Sequence, residues 1–240
     1  MTQDKHNNKV VFVTGANRGI GKAIVEALLK HNVKKVYAAA RDIKSLNYND
    51  ARVVPVQLDI TKREQIDKAA ALASDTQVLI NNAGALAFAP IVAGKPADII
   101  SDMQVNYFGT VSMVQAFVPV LEKNGGGAIA NFSSIIGLAP MAGVGGYSAS
   151  KAAVASATQA MRAELKAKNI SVHGVFPGPI DTDMAKEFNL PKTSAAVTAE
   201  NIIAGIAAGK EDIFPDPMSQ QISELWFKDP KGLERQFASM

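Results

Sequence analysis

The chain has 240 residues and a mass of 25.3 kDa; 48% of its residues are hydrophobic and 20% charged, with a formal net charge of +3. That length holds one large domain or two small ones, and the composition excludes disorder as a global description. Cysteine is absent, which excludes disulfides, thiolate nucleophiles, iron–sulfur clusters and thiolate metal sites, and His6, His31 and His173 are too dispersed for a zinc hydrolase. No metal site is expected. Basic residues exceed acidic ones by only 25 to 22 and form no long run, so neither nucleic acid nor an anionic membrane is an expected partner, despite a pI near 9.0. The N-terminal segment MTQDKHNNK is polar and lacks the apolar stretch of a secretory signal. The charge-free stretch between Lys123 and Lys151 is broken by glycines, Asn131 and Pro140, which argues against a bilayer span and for a cytoplasmic location.

In chain order, apolar runs at 10–14, 35–39, 52–57, 77–81, 128–133, 171–176 and 212–214 read as strands. Helical patterns fall between them near 19–31, 62–73, 97–122, 147–168 and 199–208. The strand runs are apolar throughout, as expected of strands covered on both faces. The alternation, without a long linker or internal repeat, predicts a single α/β domain over 1–240 with a doubly wound parallel sheet of about seven strands and helices on both faces. Pro55 removes a ladder hydrogen bond, so the third strand belongs at an edge, which suits the order 3-2-1-4-5-6. In the 97–122 helix, apolar residues recur by threes and fours at Ile100, Met103, Tyr107, Val111, Val114, Val118 and Leu121. Pro119 should kink or shorten its last turn. The alanine- and serine-rich helix after Tyr147 permits close approach by another helix.

Three local patterns carry chemistry. Directly after the first strand, Gly15-Ala-Asn17-Arg18-Gly19-Ile20-Gly21 forms a glycine-rich turn leading into a helix. Such a turn lets the main chain approach a pyrophosphate, and the helix N-terminus offers it free N–H groups. A P-loop fails on spacing, since Ala16 stands where its first glycine falls and Ala23 follows Lys22. At the end of the second strand, where NAD enzymes place an acid for the ribose, the sequence reads Ala38-Ala-Ala-Arg41. Arg41 and Arg18 therefore suit a ribose 2′-phosphate, or are exposed surface charges. Tyr147 and Lys151 stand four apart at a helix start, on one face, where an ammonium would lower the phenol's pKa and make it a proton donor and acceptor. Ser134, ending an apolar strand, could point into the same cleft.

Taken with Asp59-Ile60, Asn81-Asn82-Ala83-Gly84, Asn106 and Pro177-Gly178-Pro-Ile180-Asp-Thr182, these patterns resemble the short-chain dehydrogenase/reductase family of the short, non-extended type, over roughly residues 9–215. Extended members use TGxxGxxG and are usually longer, so nucleotide-sugar epimerases are disfavoured. The resemblance implies a Rossmann-like fold, bound NADP(H), and hydride transfer between it and a small-molecule carbonyl or secondary alcohol. It implies that Asp59 bonds the adenine, with Ile60 beside it. Asn82, Ala83 and Gly84 line the adenine ribose, or alternatively stabilise the sheet. Catalysis would fall to Asn106, whose backbone holds a water, to Ser134, which bonds the substrate oxygen, and to Tyr147 and Lys151. Lys151 would also bind the nicotinamide ribose, and Pro177, Gly178, Ile180 and Thr182 would hold the nicotinamide end. A homodimer or homotetramer through the 97–122 and 147–168 helices is expected. Other readings are a non-catalytic NADP-binding regulator and a redox-neutral dehydratase or epimerase. Met184, Phe188 and Leu190 could close an apolar pocket with Leu138, Pro140 and Met141. Residues 216–240, including Trp226, match no motif.

Overall fold

The computed structural model describes residues 8–239. The expectation for the polar N-terminal segment, His6 included, falls almost wholly outside that range. The first half of the chain gives β1 (Val10–Thr14), α1 (Gly19–Lys30), β2 (Lys35–Ala40), β3 (Val53–Gln57), α2 (Arg63–Leu72), β4 (Val78–Asn81), α3 (Pro96–Asp102) and α4 (Thr110–Lys123). The second half gives β5 (Gly127–Phe132), α5 (Gly145–Leu165), β6 (Ile170–Val175), β7 (Ile180–Asp181), β8 (Thr193–Ser194), α6 (Ala195–Ala207), β9 (Asp212–Ile213), α7 (Pro217–Lys228) and α8 (Pro230–Ala238).

Every residue of β1 is buried, and because side chains alternate along a strand it feeds two cores. Val10 and Phe12 join Ile66, Phe117 and Leu165, from α2, α4 and α5, on one face of the sheet. Val11 and Val13 join Ile24, Leu28, Ile202 and Ile206, from α1 and α6, on the other. The sheet has seven strands in the order β3-β2-β1-β4-β5-β6-β9, all parallel. This is the doubly wound order expected, with Pro55 on the edge strand β3. The order reverses between β1 and β4, which opens a crevice at their C-terminal ends, the usual place for a ligand in such sheets.

Three expectations are corrected, and one segment without an assignment gains one. The 97–122 helix is two α-helices joined by a π-helical segment, Met103–Gly109. Pro119 does not shorten the second of them; α4 runs on to Lys123. Pro119 and Gln115, whose carbonyl loses its helical partner, are both exposed, so water can replace the missing bond. The 199–208 helix starts earlier, at Ala195, because Ser194 caps it by accepting from Val197 N at 3.3 Å. The unassigned C-terminal residues form α7 and α8, each begun by an aspartate cap followed by proline (Asp216-Pro217 and Asp229-Pro230). Ile222, Leu233 and Phe237 from these helices pack on Ile135 and Ala139 in a third apolar cluster. Among the described residues, no helix is long and apolar enough to cross a membrane.

Candidate active site

The crevice is a cavity of about 1060 Å³. That is the upper end of the range usual for small-molecule sites. Its floor is the glycine turn. Gly15 holds a φ of 65°, which favours a residue without Cβ. At Gly21 the reason is space: a Cβ there would stand 2.2 Å from Gly15 O and 2.4 Å from Asn82 Nδ2. Asn82 fixes the turn by donating to Thr14 O at 2.9 Å and Gly15 O at 3.1 Å. Thr14 accepts from Ala83 N at 3.0 Å, so β1 and the segment after β4 are stitched together beneath the cavity. Tyr48, missed in the sequence, donates to Ala16 O from the loop after β2. The first turn of α1 has no acidic residue and no side-chain cap, which leaves its N–H groups available to an anion.

Arg41 and Arg18 both line the cavity. Arg18 already has a partner: its Nη1 lies 3.4 Å from Asp183 Oδ2, in an ion pair whose side chains are 64% and 76% exposed. Asp59 accepts from Thr61 N at 2.9 Å and Thr61 Oγ1 at 2.7 Å. Burial opposes its charge, but these bonds and the nearby Arg41 and Lys62 charges outweigh that and hold the carboxyl below its usual range.

Lys151 is 4% exposed, donates to Phe132 O at 2.7 Å and lies 5.5 Å from the Tyr147 ring centroid. Half-buried Tyr147 shares the cavity wall with it. The expected net lowering of the phenol is corrected: the shift is upward. Desolvation, and then the charge of Asp102, push Tyr147 above its usual 10. Desolvation likewise pulls Lys151 down to about 8, opposed by Asp102. At neutral pH the cofactor-free site thus holds a phenol and an ammonium.

Asn106 is wholly buried in the π-helical segment, and its side chain grips the loop after β4. Its Oδ1 accepts from Ala85 N at 2.8 Å, and its Nδ2 donates to Ala85 O and to Ser150 Oγ, both at 2.9 Å. Its backbone carbonyl accepts from Thr110 Oγ1 at 2.6 Å. One turn earlier, Asp102 is also fully buried; Oδ1 accepts from Ala87 N at 3.1 Å and Oδ2 has no partner. Desolvation raises its pKa, aided by Asp98 and opposed by the Ala87 bond and Lys151. Sequence reasoning missed Asp102, although a carboxylate one turn before Asn106 in an apolar helix was a visible signal.

Gly15, Asn17, Arg18, Gly19, Ile20, Arg41, Asp59, Ile60, Asn82, Ala83, Gly84, Tyr147, Lys151, Pro177 and Thr182 all lie on the cavity wall. Gly21, Asn106, Ser134, Gly178 and Ile180 are not among the residues that line it. Ser134 Oγ donates to Pro177 O at 3.3 Å and accepts from Ile136 N at 3.4 Å. The six residues of the expected apolar pocket are not placed on one wall: Met184 lines the main cavity. Leu138 and Pro140 face Trp226 and Pro230 in a separate cleft, and Met141 packs in the C-terminal cluster. Phe188 instead meets Phe88, with ring centroids 5.7 Å apart.

The family described as short chain dehydrogenase matches residues 9–193. A short chain dehydrogenase from Burkholderia cenocepacia J2315, solved in complex with NADP, is 38% identical, with a TM-score of 0.92 over 96% of this chain and 98% of its own. The 3-oxoacyl-[acyl-carrier-protein] reductase of Thermotoga maritima is 32% identical over 218 residues, 85% of this chain and 87% of that protein. An uncharacterized oxidoreductase of Staphylococcus aureus (strain MW2) is 32% identical over 192 residues, 76% of this chain and 82% of its own. The chain belongs to the short-chain dehydrogenase family and is an oxidoreductase.

Proposed function

We propose that the protein is an NADP(H)-dependent reductase of small-molecule carbonyls, run in the direction carbonyl to secondary alcohol at neutral pH. The observation that carries this is the pairing of half-buried Tyr147 with buried Lys151 on the wall of the same cavity as the uncapped glycine turn. The residues fit the dinucleotide. The N–H groups of α1 suit its pyrophosphate, Arg41 suits a 2′-phosphate, and Lys151 suits the nicotinamide ribose. When bound, NADPH supplies a hydride to the carbonyl carbon. Ser134 turns its hydroxyl from Pro177 O to the substrate oxygen. Tyr147 delivers the phenolic proton to that oxygen, and the Lys151 ammonium stabilises the phenolate left behind. A water held by the Asn106 carbonyl returns the proton. Reduction needs a phenol that holds its proton, and desolvation of Tyr147 favours that form.

The test is NADPH oxidation against a panel of ketones, quinones, aldehydes and 3-oxoacyl thioesters. Tyr147→Phe should lower kcat by ~10²–10⁴-fold with cofactor affinity held within a few-fold. A variant that keeps more than about a tenth of wild-type kcat removes Tyr147 from the proton transfer. Stoichiometric NADP⁺ formation separates this reading from a regulator and from a redox-neutral lyase or epimerase.

A further inference from the structure

Asp216, at the start of α7, is 1% exposed, and its two oxygens serve different segments. Oδ1 accepts from Ser219 N at 2.9 Å and closes the helix cap, while Asp216 N donates back to Ser219 Oγ at 3.1 Å. Oδ2 accepts from Gly178 N at 2.8 Å. The helix cap has no use for that second bond. It falls on the Pro177–Gly178 peptide, whose carbonyl oxygen accepts from Ser134 Oγ at 3.3 Å and Ile135 N at 3.2 Å. One peptide plane is therefore held at both edges, its N–H by α7 and its C=O by the turn that carries Ser134. A Cβ at Gly178 would stand 2.8 Å from Asp216 Oδ1, so glycine is what admits the carboxylate. A charged acceptor on the N–H also polarises the amide and makes Pro177 O a better acceptor.

We propose that Asp216 is a positioning residue for the redox centre: through the Pro177–Gly178 peptide it sets both the loop that holds the nicotinamide end and the resting hydroxyl of Ser134. This rests on the cofactor reading above. It gives the C-terminal helices a task at the site, beyond covering Ile135 and Ala139. Asp216→Asn has one acceptor oxygen for two N–H donors, so its amide NH₂ must face one of them. Ser219→Ala keeps both carboxylate bonds, because Ser219 donates through its backbone, and loses only its two hydroxyl contacts with the Asp216 main chain, acceptance from N at 3.1 Å and donation to O at 2.9 Å.

The experiment is calorimetric titration of each folded variant with NADP⁺ and with adenosine 2′,5′-bisphosphate, which carries the adenine end without nicotinamide. Asp216→Asn should weaken NADP⁺ about tenfold or more and leave the bisphosphate within about twofold. Ser219→Ala should lower Tm by about 2–4 °C with both affinities unchanged. Gly178→Ala presses on the carboxylate from the other side, keeps the cap residues, and should reproduce the selective NADP⁺ loss; it decides the matter if Asp216→Asn does not fold. NADP⁺ affinity near wild type in the folded variants, or an equal loss for both ligands, overturns the role of Asp216. So does a Ser219→Ala protein that matches Asp216→Asn. Wild-type protein that binds neither compound overturns the cofactor reading itself.

Discussion

Asp102 is the residue whose chemistry is least expected from the motifs. Its carboxylate raises both Tyr147 and Lys151, so it keeps the proton on the phenol and the charge on the ammonium. Asparagine at 102 can still accept from Ala87 N and removes only the charge. Lys151 should then titrate below about 8, and the alkaline limb of kcat/KM for reduction should move to lower pH with Tm little changed. Asp102→Ala, which loses the Ala87 bond as well, should also lower Tm; an unmoved limb in Asp102→Asn would leave the carboxylate a purely structural part. The same depressed lysine has a stability signature. Between about 8 and 10 the unfolded chain binds more protons at Lys151 than the folded one, so its contribution to stability rises with pH. Urea midpoints across that window should show this rise in wild type and lose it in Lys151→Met. On the proposed cofactor reading, the choice of cofactor should rest on Arg41 more than on Arg18, whose guanidinium is paired with Asp183. Charge-assisted bonds contribute ~1.5–3 kcal/mol before screening, which predicts a tenfold to hundredfold preference for NADPH. Arg41→Asp should reverse it, read as kcat/KM for both cofactors at low and high salt. Equal wild-type values would place the arginine elsewhere.

At the level of elements, the glycine turn and the strand order were legible because each has a local signal: strand, then glycines, then helix; proline in an edge strand. The helix at 97–122 was legible only in part. A spacing of threes and fours fits an α-helix, and it does not register the wider turn of Met103–Gly109 that delivers Asn106 to the loop after β4. The sign of the Tyr147 shift was hidden for another reason: desolvation depends on what surrounds the ring, and a tyrosine–lysine spacing contains no such information. Asp216 and Gly178 lie 38 positions apart in sequence, and no periodicity links them. The Asp216-Pro217 pair is a helix-start signal that the sequence reading passed over, and the partner of its second oxygen could come only from the fold. Helix α4 makes a separate prediction. Phe117 is fully buried, 4.7 Å from the Phe12 ring, at the contact of α4 with the central strand. Phe117→Ala should cost about 3–5 kcal/mol in urea unfolding while cofactor affinity of the folded protein holds. A smaller cost would mean that α4 can collapse onto β1.

For the whole molecule, the outer faces of the helices expected at a subunit contact are ready for one. Phe108 is 49% exposed, and Ala152 and Ser156 lie exposed one turn apart on α5. Light scattering at micromolar concentration should give two or four times the 25.3 kDa chain mass, and a monomer would refute the contact. The order of the sheet has a further consequence, for the chain as it is made. Strand β1 precedes the other described strands in the chain, yet it sits in the middle of the sheet between β2 and β4. The turn it carries waits for Asn82, and the loop at Gly178 waits for Asp216, close to the end of the chain. A nascent chain halted at residue 215 already holds every cofactor position named from the motifs, but its Gly178 amide lacks the Asp216 carboxylate and Ile135 lacks Leu233 and Phe237. Synthesis of α7 and α8, and not translation of the last motif, is then the event that completes these contacts.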